Sequence, residues 1–335
     1  MSRTIAVTGA TGFIGAMLVN HLLAAGWNVR ALVRSRSAHR IPEIPQLEAV
    51  TGSLEDSESL HRLVQGAAAV VHCAGAVRGA TAADFNAVNV DGLKRLVRAA
   101  LSLSPRPRFL LLSSLAARSP ELSHYASSKR QGELALAAMA EDMEWIALRP
   151  PAVYGPGDKE MLPLFQWMGR GIAPVLGEPH ARLSLLYVED LCAAVLNWLN
   201  AGSCRCGVFE LNDTQTGGYS WDETIARVST LRARHIIRLP LPAVLLKSIA
   251  LINVALARFI GYAPMLTPGK VRELRHPDWV ADNSALTAAI GWQPVFPLEQ
   301  GLRRTMGWGE AGLSTIERLP SDESDSGQRV NRDAD

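Results

Sequence analysis

Apolar and polar residues alternate in blocks along the first half of the chain. Short apolar runs at 4–8, 28–33, 46–51, 68–73, 108–113 and 144–149 read as strands. Between them, residues 13–25, 57–64, 81–103 and 122–142 carry apolar positions at helical spacing. Strands that are apolar on both faces are those of a buried parallel sheet. Their regular exchange with helices predicts an α/β fold with a doubly wound parallel sheet and right-handed crossovers. After residue 150 the pattern changes. Pro150, Pro151, Gly155, Pro156 and Gly157 crowd together, and helical patterns dominate, with further strands expected at 184–188 and 207–211. The expected organisation is a first domain over 1–155, to which segments near 183–202 return, and a smaller, mostly helical, interleaved lobe over 156–312. Residues 316–335 are polar, lack apolar anchors and read as a disordered tail.

Composition narrows the function without naming it. The chain has 335 residues, enough for one large or two modest domains. Its 34 Lys and Arg against 32 Asp and Glu leave a formal charge of +2, which argues against general nucleic-acid binding. Cys73, Cys192, Cys204 and Cys206 make no disulfide framework, and Cys204-Arg205-Cys206 lacks the gap of a zinc knuckle or redox pair. They read as thiols in a reducing cytosol. The histidines show no paired ligand spacing, so no metal site is expected. Met1-Ser2-Arg3 runs straight into a strand, so no signal peptide is expected and the location reads as cytoplasmic.

Mean hydropathy is slightly apolar at +0.07, and the surplus concentrates in residues 160–168 and 239–262. In the first, Met161, Leu164, Phe165 and Met168 form a helical stripe, either core or the wall of an apolar substrate pocket. In the second, Lys247 and Arg258 fall about 20° apart on a helical wheel and leave most of the circumference apolar. Three readings compete there: a buried lobe helix or homodimer contact, the mouth of a lipophilic substrate site, or a peripheral membrane contact that makes the protein membrane-associated.

The first strand runs into Thr8-Gly9-Ala10-Thr11-Gly12-Phe13-Ile14-Gly15 and then an apolar helix. Glycines at this spacing permit a tight turn and let backbone amides approach a pyrophosphate at the helix N-terminus. Strand, turn, helix and second strand together form the context that dinucleotide binding requires, and they make the sheet Rossmann-type. The second strand ends at Arg34, where NAD-preferring enzymes place a carboxylate; Arg34, with Arg36 nearby, suits a 2′-phosphate. The expected cofactor is NADP, with NAD the alternative.

Tyr125 and Lys129 stand at i and i+4 and share a helix face. The ammonium would lower the phenol's pKa and bond the nicotinamide ribose, and the phenol would exchange a proton with a carbonyl or carbinol oxygen while hydride moves. The pair opens the helix after the fifth strand, which ends in Ser113-Ser114 where ligands gather in such sheets. Ser114 is preferred over Ser113 as the hydroxyl that holds the substrate oxygen. His124 reads as a surface residue, Glu133 and Arg149 as structural, and Arg78 as a solvated loop residue or a partner for an anionic substrate group.

Together these residues resemble the extended short-chain dehydrogenase/reductase family, the NAD(P)-dependent epimerase/dehydratase group. The matching pieces are Thr8–Gly15, Val70-Val71-His72-Cys73-Ala74-Gly75, Asn89-Val90-Asp91-Gly92, Ser113-Ser114, Tyr125–Lys129, Arg149–Asp158 and Tyr187–Leu191. The resemblance implies that Gly9, Thr11, Gly12, Phe13, Ile14 and Gly15 bind cofactor and that Ala74 and Gly75 line its ribose side. It implies that Pro150 and Val153 contact the nicotinamide, that Asn89 braces the relay, and that Ser114, Tyr125 and Lys129 are catalytic. Gly52-Ser53-Leu54 stands where the family often has Gly-Asp-Leu, so Ser53 offers the adenine a shorter, uncharged contact beside Leu54. The later text, Leu266–Val271 and Gly291–Pro294, resembles the ketone-reducing branch that holds dihydroflavonol reductases and 3β-hydroxysteroid dehydrogenase-like enzymes. The expected function is hydride transfer between NADP(H) and a carbonyl or secondary alcohol of a small, lipophilic molecule. The alternatives are a nucleotide-sugar epimerase or dehydratase, and a non-catalytic NADPH-binding sensor or scaffold.

Overall fold

The computed structural model describes residues 3–308 apart from 179, 204 and 205, so the expected tail and Cys204 lie outside the described residues. Six strands lie where the apolar runs put them: β1 (Thr4–Thr8), β2 (Asn28–Val33), β3 (Leu47–Thr51), β4 (Ala69–His72), β5 (Arg108–Leu112) and β6 (Trp145–Arg149). Helices α1 (Phe13–Ala24), α2 (Ser57–Val64), α3 (Ala82–Asn86), α4 (Leu93–Leu101) and α5 (His124–Met139) cross between them. β4 is buried along its whole length because helices cover both faces of the sheet. The stretch expected as one helix over 81–103 is split: α3 and α4 flank a π-helical turn, Ala87–Gly92. Such turns take an extra residue into the helix, and Asn89 lies buried within this one.

Beyond residue 150 come β7 (Ala152–Tyr154), α6 (Leu162–Gly169), β8 (Ile172–Val175), β9 (Arg182–Leu183), β10 (Leu185–Tyr187), α7 (Val188–Asn200) and β11 (Gly207–Glu210). β7 and β10 pair in parallel, and α7 packs on α1. β11 joins the main sheet beside β6, completing a seven-stranded parallel sheet in the order β11-β6-β5-β4-β1-β2-β3. This is the Rossmann arrangement, with its switch point between β1 and β4. The apolar run at 207–211 marks this strand but says nothing of its partner.

The rest of the chain is β12 (Tyr219–Ser220), α8 (Trp221–Arg232), β13 (Ile237–Pro240), α9 (Ala243–Ile260), α10 (Pro268–Leu274), β14 (Asp278–Trp279), α11 (Ser284–Ile290) and α12 (Leu298–Met306). It builds a mostly helical lobe with small sheets β12-β9-β14 and β8-β13. Tyr154, Phe165, Met168, Tyr187, Tyr219 and Trp221 form its core. Of the stripe on α6, Phe165 and Met168 are therefore core, while Met161 and Leu164 are half-buried beside it. The sheet has a core on each face. One of them contains Ile5, Val7 and Leu18 together with Trp198, Leu211, Leu286 and Trp292, so late segments of the chain complete the first domain.

Candidate active site

The glycine turn is shaped by close backbone approach. Gly9 has φ +75°, and a Cβ there would stand 2.6 Å from the Ala74 nitrogen. A Cβ on Gly15 would stand 2.1 Å from the Gly9 carbonyl oxygen, so only glycine lets α1 start this near to β1. Gly12 caps α1 with no side-chain hydrogen bond, which leaves the first-turn amides, near Phe13 and Ile14, for a ligand. Thr11 is half-buried at the rim of the turn. Across the turn, Thr8 Oγ1 accepts from the Ala74 amide at 3.3 Å and lies 2.7 Å from His72 Nδ1. Burial holds the His72 imidazole down to about 3, with the Lys129 charge adding to the effect, so this ring is neutral.

Lys129 is buried at the floor of the site. Its Nζ donates to the Leu112 carbonyl at 2.9 Å, and a Cβ on Gly75 would come within 3.0 Å of it. Asn89 binds the same loop: its Oδ1 accepts from the Ala76 amide at 2.8 Å, and its Nδ2 donates to the Ala76 carbonyl at 3.0 Å and to Ser128 Oγ at 2.8 Å. Asn89 thus ties the Gly75–Ala76 loop to α5, the helix that carries Tyr125 and Lys129. Ser114 caps a short turn after β5, accepting from the Ala116 amide at 3.2 Å. That turn is held in place by Pro150, whose carbonyl accepts from the Leu115 amide at 2.9 Å. Ser113 points elsewhere: it donates to Glu133 at 2.5 Å, and Glu133 in turn receives both arms of Arg149 at 2.8 and 2.7 Å. The three make a buried structural knot under the site.

Tyr125 lies at the start of α5, its ring edge-on to Phe85 at 6.1 Å. Burial raises its phenol above the ordinary value, while hydrogen bonding to Ser114 pulls the other way. A half-buried phenol, a serine hydroxyl facing it, a buried lysine one turn along and an uncapped glycine turn therefore share one crevice at the carboxyl ends of β1, β4 and β5. A profile of the NAD dependent epimerase/dehydratase family matches residues 5–205. The chain belongs to that family.

Among its relatives, the ceramide reductase of Caulobacter vibrioides is 39% identical over 91% of this chain and 93% of its own. A 3 beta-hydroxysteroid dehydrogenase/Delta 5-->4-isomerase of Mycobacterium tuberculosis is 31% identical over 56% of this chain and 57% of its own. Among solved structures, a dTDP-glucose 4,6-dehydratase from Streptomyces venezuelae with NAD bound superposes with TM-score 0.69. It is 19% identical and covers 91% of this chain and 96% of its own, a likeness of fold. The chain is an NAD(P)-dependent oxidoreductase of the epimerase/dehydratase family, with a small molecule as its substrate.

Other family positions lie apart from the crevice floor. Arg34 and Arg36 are exposed just past the end of β2, with no side-chain hydrogen bond or ion pair among the described residues. Ser53 Oγ is engaged locally, accepting from the Glu55 amide at 3.2 Å, and Leu54 packs where a Cβ on Gly92 would fall. Val153 is half-buried against the sheet core, and Phe13 faces the Gly157 turn. Arg78 pairs with Glu160 at 2.8 Å, and His124 is exposed.

Two residues at the site had no role assigned from the sequence, although Lys270 lies within the Leu266–Val271 stretch. Lys270, on α10, holds its Nζ 5.8 Å from the Tyr125 ring centre and pairs with Glu273 at 2.9 Å. Glu273 is buried and accepts from Ser123 Oγ, the N-cap of α5. A Cβ on Gly269 would lie 2.8 Å from Ser123 Cβ, so α10 is seated directly on the start of α5. Lys129 is turned toward the Leu112 carbonyl, and burial pulls its own pKa down to about 8. Lys270 is also among the groups that draw the phenol's pKa down. No spacing rule links Tyr125 to a residue so far along the chain.

Proposed function

We propose that this protein reduces a ketone carried on a ceramide-like lipid, a long-chain N-acyl amino alcohol, using NADPH. The observation that carries the chemistry is the seat of Tyr125, with Ser114 at its hydroxyl, at the end of β5 and beside the glycine turn. The substrate class is supported by the likeness to a ceramide reductase across nearly the full length of both chains, and by the exposed apolar surface of α9.

The residues fit a dinucleotide. Gly9, Gly12 and Gly15 leave room where any Cβ would collide or crowd, and the free amides of α1 suit a pyrophosphate. Ala74, Gly75, Pro150 and Val153 would line the ribose and nicotinamide, and Ser53 and Leu54 the adenine. The exposed, unpaired guanidinium of Arg34 supports NADP over NAD. When bound, the nicotinamide supplies the hydride. Tyr125 gives its proton to the carbonyl oxygen, and a phenol raised by burial keeps that proton through neutral pH. Ser114 orients the oxygen by hydrogen bonding. Lys129 would donate to the ribose, and Asn89 holds the loop and helix together. A substrate of this kind resides in a bilayer, so the reading includes peripheral membrane contact through residues 239–262.

The test follows NADPH oxidation by the purified protein with a keto-ceramide in detergent, a ketosteroid and UDP-sugars. Turnover on the lipid ketone is expected, falling by about 10²–10⁴-fold in Tyr125→Phe. Arg34→Glu is expected to weaken NADPH binding by about tenfold, ~1.4 kcal/mol, and to spare NADH. UDP-sugar interconversion without net NADPH loss would overturn the reading in favour of an epimerase. Tight NADPH binding with no turnover would favour a sensor.

A further inference from the structure

Helix α9 leaves an apolar face open to solvent. Phe259 is 89% exposed and Val244 75%, and Leu251, Ile252, Leu256 and Ile260 are exposed with them. Ile237 and Leu239, on the strand that feeds the helix, are exposed as well. Monomeric proteins seldom leave so continuous an apolar patch without a partner. We propose that this face lies in the headgroup–acyl boundary of an anionic lipid bilayer and holds the mouth of the active site against it.

Charge selects this occupant over another protein surface. Between Glu223 and Glu273 there is no Asp or Glu, yet there are eight Lys or Arg. Lys247 and Arg258 are exposed and have no ion-pair partner among the described residues. At about 100° per residue they form one line along the helix, at the edge of the exposed apolar arc. An apolar face bordered by cations is the signature of a helix lying in an interface with anionic headgroups beside it.

Packing argues against a spanning helix, although α9 is long and apolar enough for one. Leu246, Ala250 and Ala257 form a buried stripe, and the first two pack with Val271 of α10. Asn253, on the same stripe, donates to the Leu266 carbonyl at 2.8 Å. The strand before α9 and the helix after it both belong to one lobe, so both ends of α9 stay on one side of the membrane. α9 packs on α10, and α10 sits on the start of α5 with Lys270 beside Tyr125. The loop after α9 also reaches the site rim, where the Gly79 amide donates to the Pro264 carbonyl at 3.1 Å. α10 thus links the helix of the proposed lipid face to the start of α5, which carries the phenol.

The delivery of a lipid ketone rests on the proposed reductase reading; docking itself is measured without turnover. The full chain is sedimented with vesicles of phosphatidylcholine and of phosphatidylcholine mixed with phosphatidylglycerol, and its oligomeric state is measured by light scattering. Binding to the mixed vesicles is expected, with weaker binding to phosphatidylcholine alone. Ile252→Glu with Phe259→Glu is expected to lower partitioning by at least about tenfold. Lys247→Glu with Arg258→Glu is expected to abolish the preference for anionic vesicles. Unchanged NADPH binding and thermal midpoint in both variants show that the fold is intact. Wild-type protein that stays in the supernatant, or a dimer that the Ile252→Glu, Phe259→Glu variant splits without any vesicle binding, would overturn the proposal. In the wild-type protein, no vesicle binding with reduction in detergent intact defeats the docking alone; vesicle binding without turnover defeats the reductase reading alone.

Discussion

His72 stands at the carboxyl end of β4, buried, with its Nδ1 against the Thr8 hydroxyl. Its folded pKa is about 3 against 6.5 in an open chain, because burial penalises the charged ring. Above pH 6.5 neither state carries the proton and the group imposes no penalty. As pH falls from 6.5 toward 3, the unfolded chain takes up a proton that the folded protein refuses, and stability drops by up to ~1.4 kcal/mol per pH unit. Thermal melts across that window should show this acid loss, and His72→Asn should flatten its slope. Tyr125 makes a second residue-scale case. Its proton is kept by burial, and Lys270 and Ser114 oppose that. Oxidation of the alcohol needs the phenolate, so its rate should rise with pH. Lys270→Met removes a cation that favours the phenolate; the rising limb should move to higher pH, with kcat at neutral pH down by on the order of tenfold. Lys270→Arg should restore the profile. Simple loss of structure would lower kcat without moving the limb.

At the scale of elements, the site is a joint between α5 and α10. Gly269 lets them touch, since a Cβ there would meet Ser123 Cβ at 2.8 Å. Ser123 is the cap of α5, accepting from the Ala126 amide at 2.9 Å, and it donates to Glu273 of α10. Gly269→Ala must push the two helices apart or bend one of them. We expect a loss of about 1–3 kcal/mol in denaturant unfolding and a larger rise in KM than in NADPH dissociation constant, because the close contacts of the glycine turn are with the loop after β4 and not with α10. Legibility follows the same division. The strands of the main sheet, the glycine turn and the Tyr125–Lys129 pair are local signals: a period, a turn chemistry, a helix-face spacing. Ser114 could be preferred over Ser113 because a hydroxyl at the strand end is readily spent on local bonding, but the Glu133 acceptor that occupies Ser113 was not readable. The β8–β13 pair, the approach of Lys270 to Tyr125 and the bond from Ser123 to Glu273 depend on contacts between distant segments. No periodicity encodes such contacts.

At the scale of the molecule, the chain crosses between its two lobes more than once, and this decides what can fold alone. The apolar runs before residue 150 look like a finished domain. Yet the core on one face of the sheet also takes in Leu186, Leu191, Trp198, Leu211, Leu286 and Trp292, and β11 covers the edge that β6 would otherwise expose. A fragment of residues 1–155 loses all of these. Each such side chain contributes about 1.5–3 kcal/mol when buried. Losing half a dozen is as large as the ~5–15 kcal/mol by which a whole domain is stable, and the freed strand edge invites self-association. The full chain should therefore unfold in one transition by calorimetry, with NADPH raising its midpoint. The 1–155 fragment should keep helical far-ultraviolet dichroism but show no cooperative melt and no NADPH response. A fragment that melts sharply and binds NADPH would mean that the late segments decorate a self-sufficient fold instead of completing it.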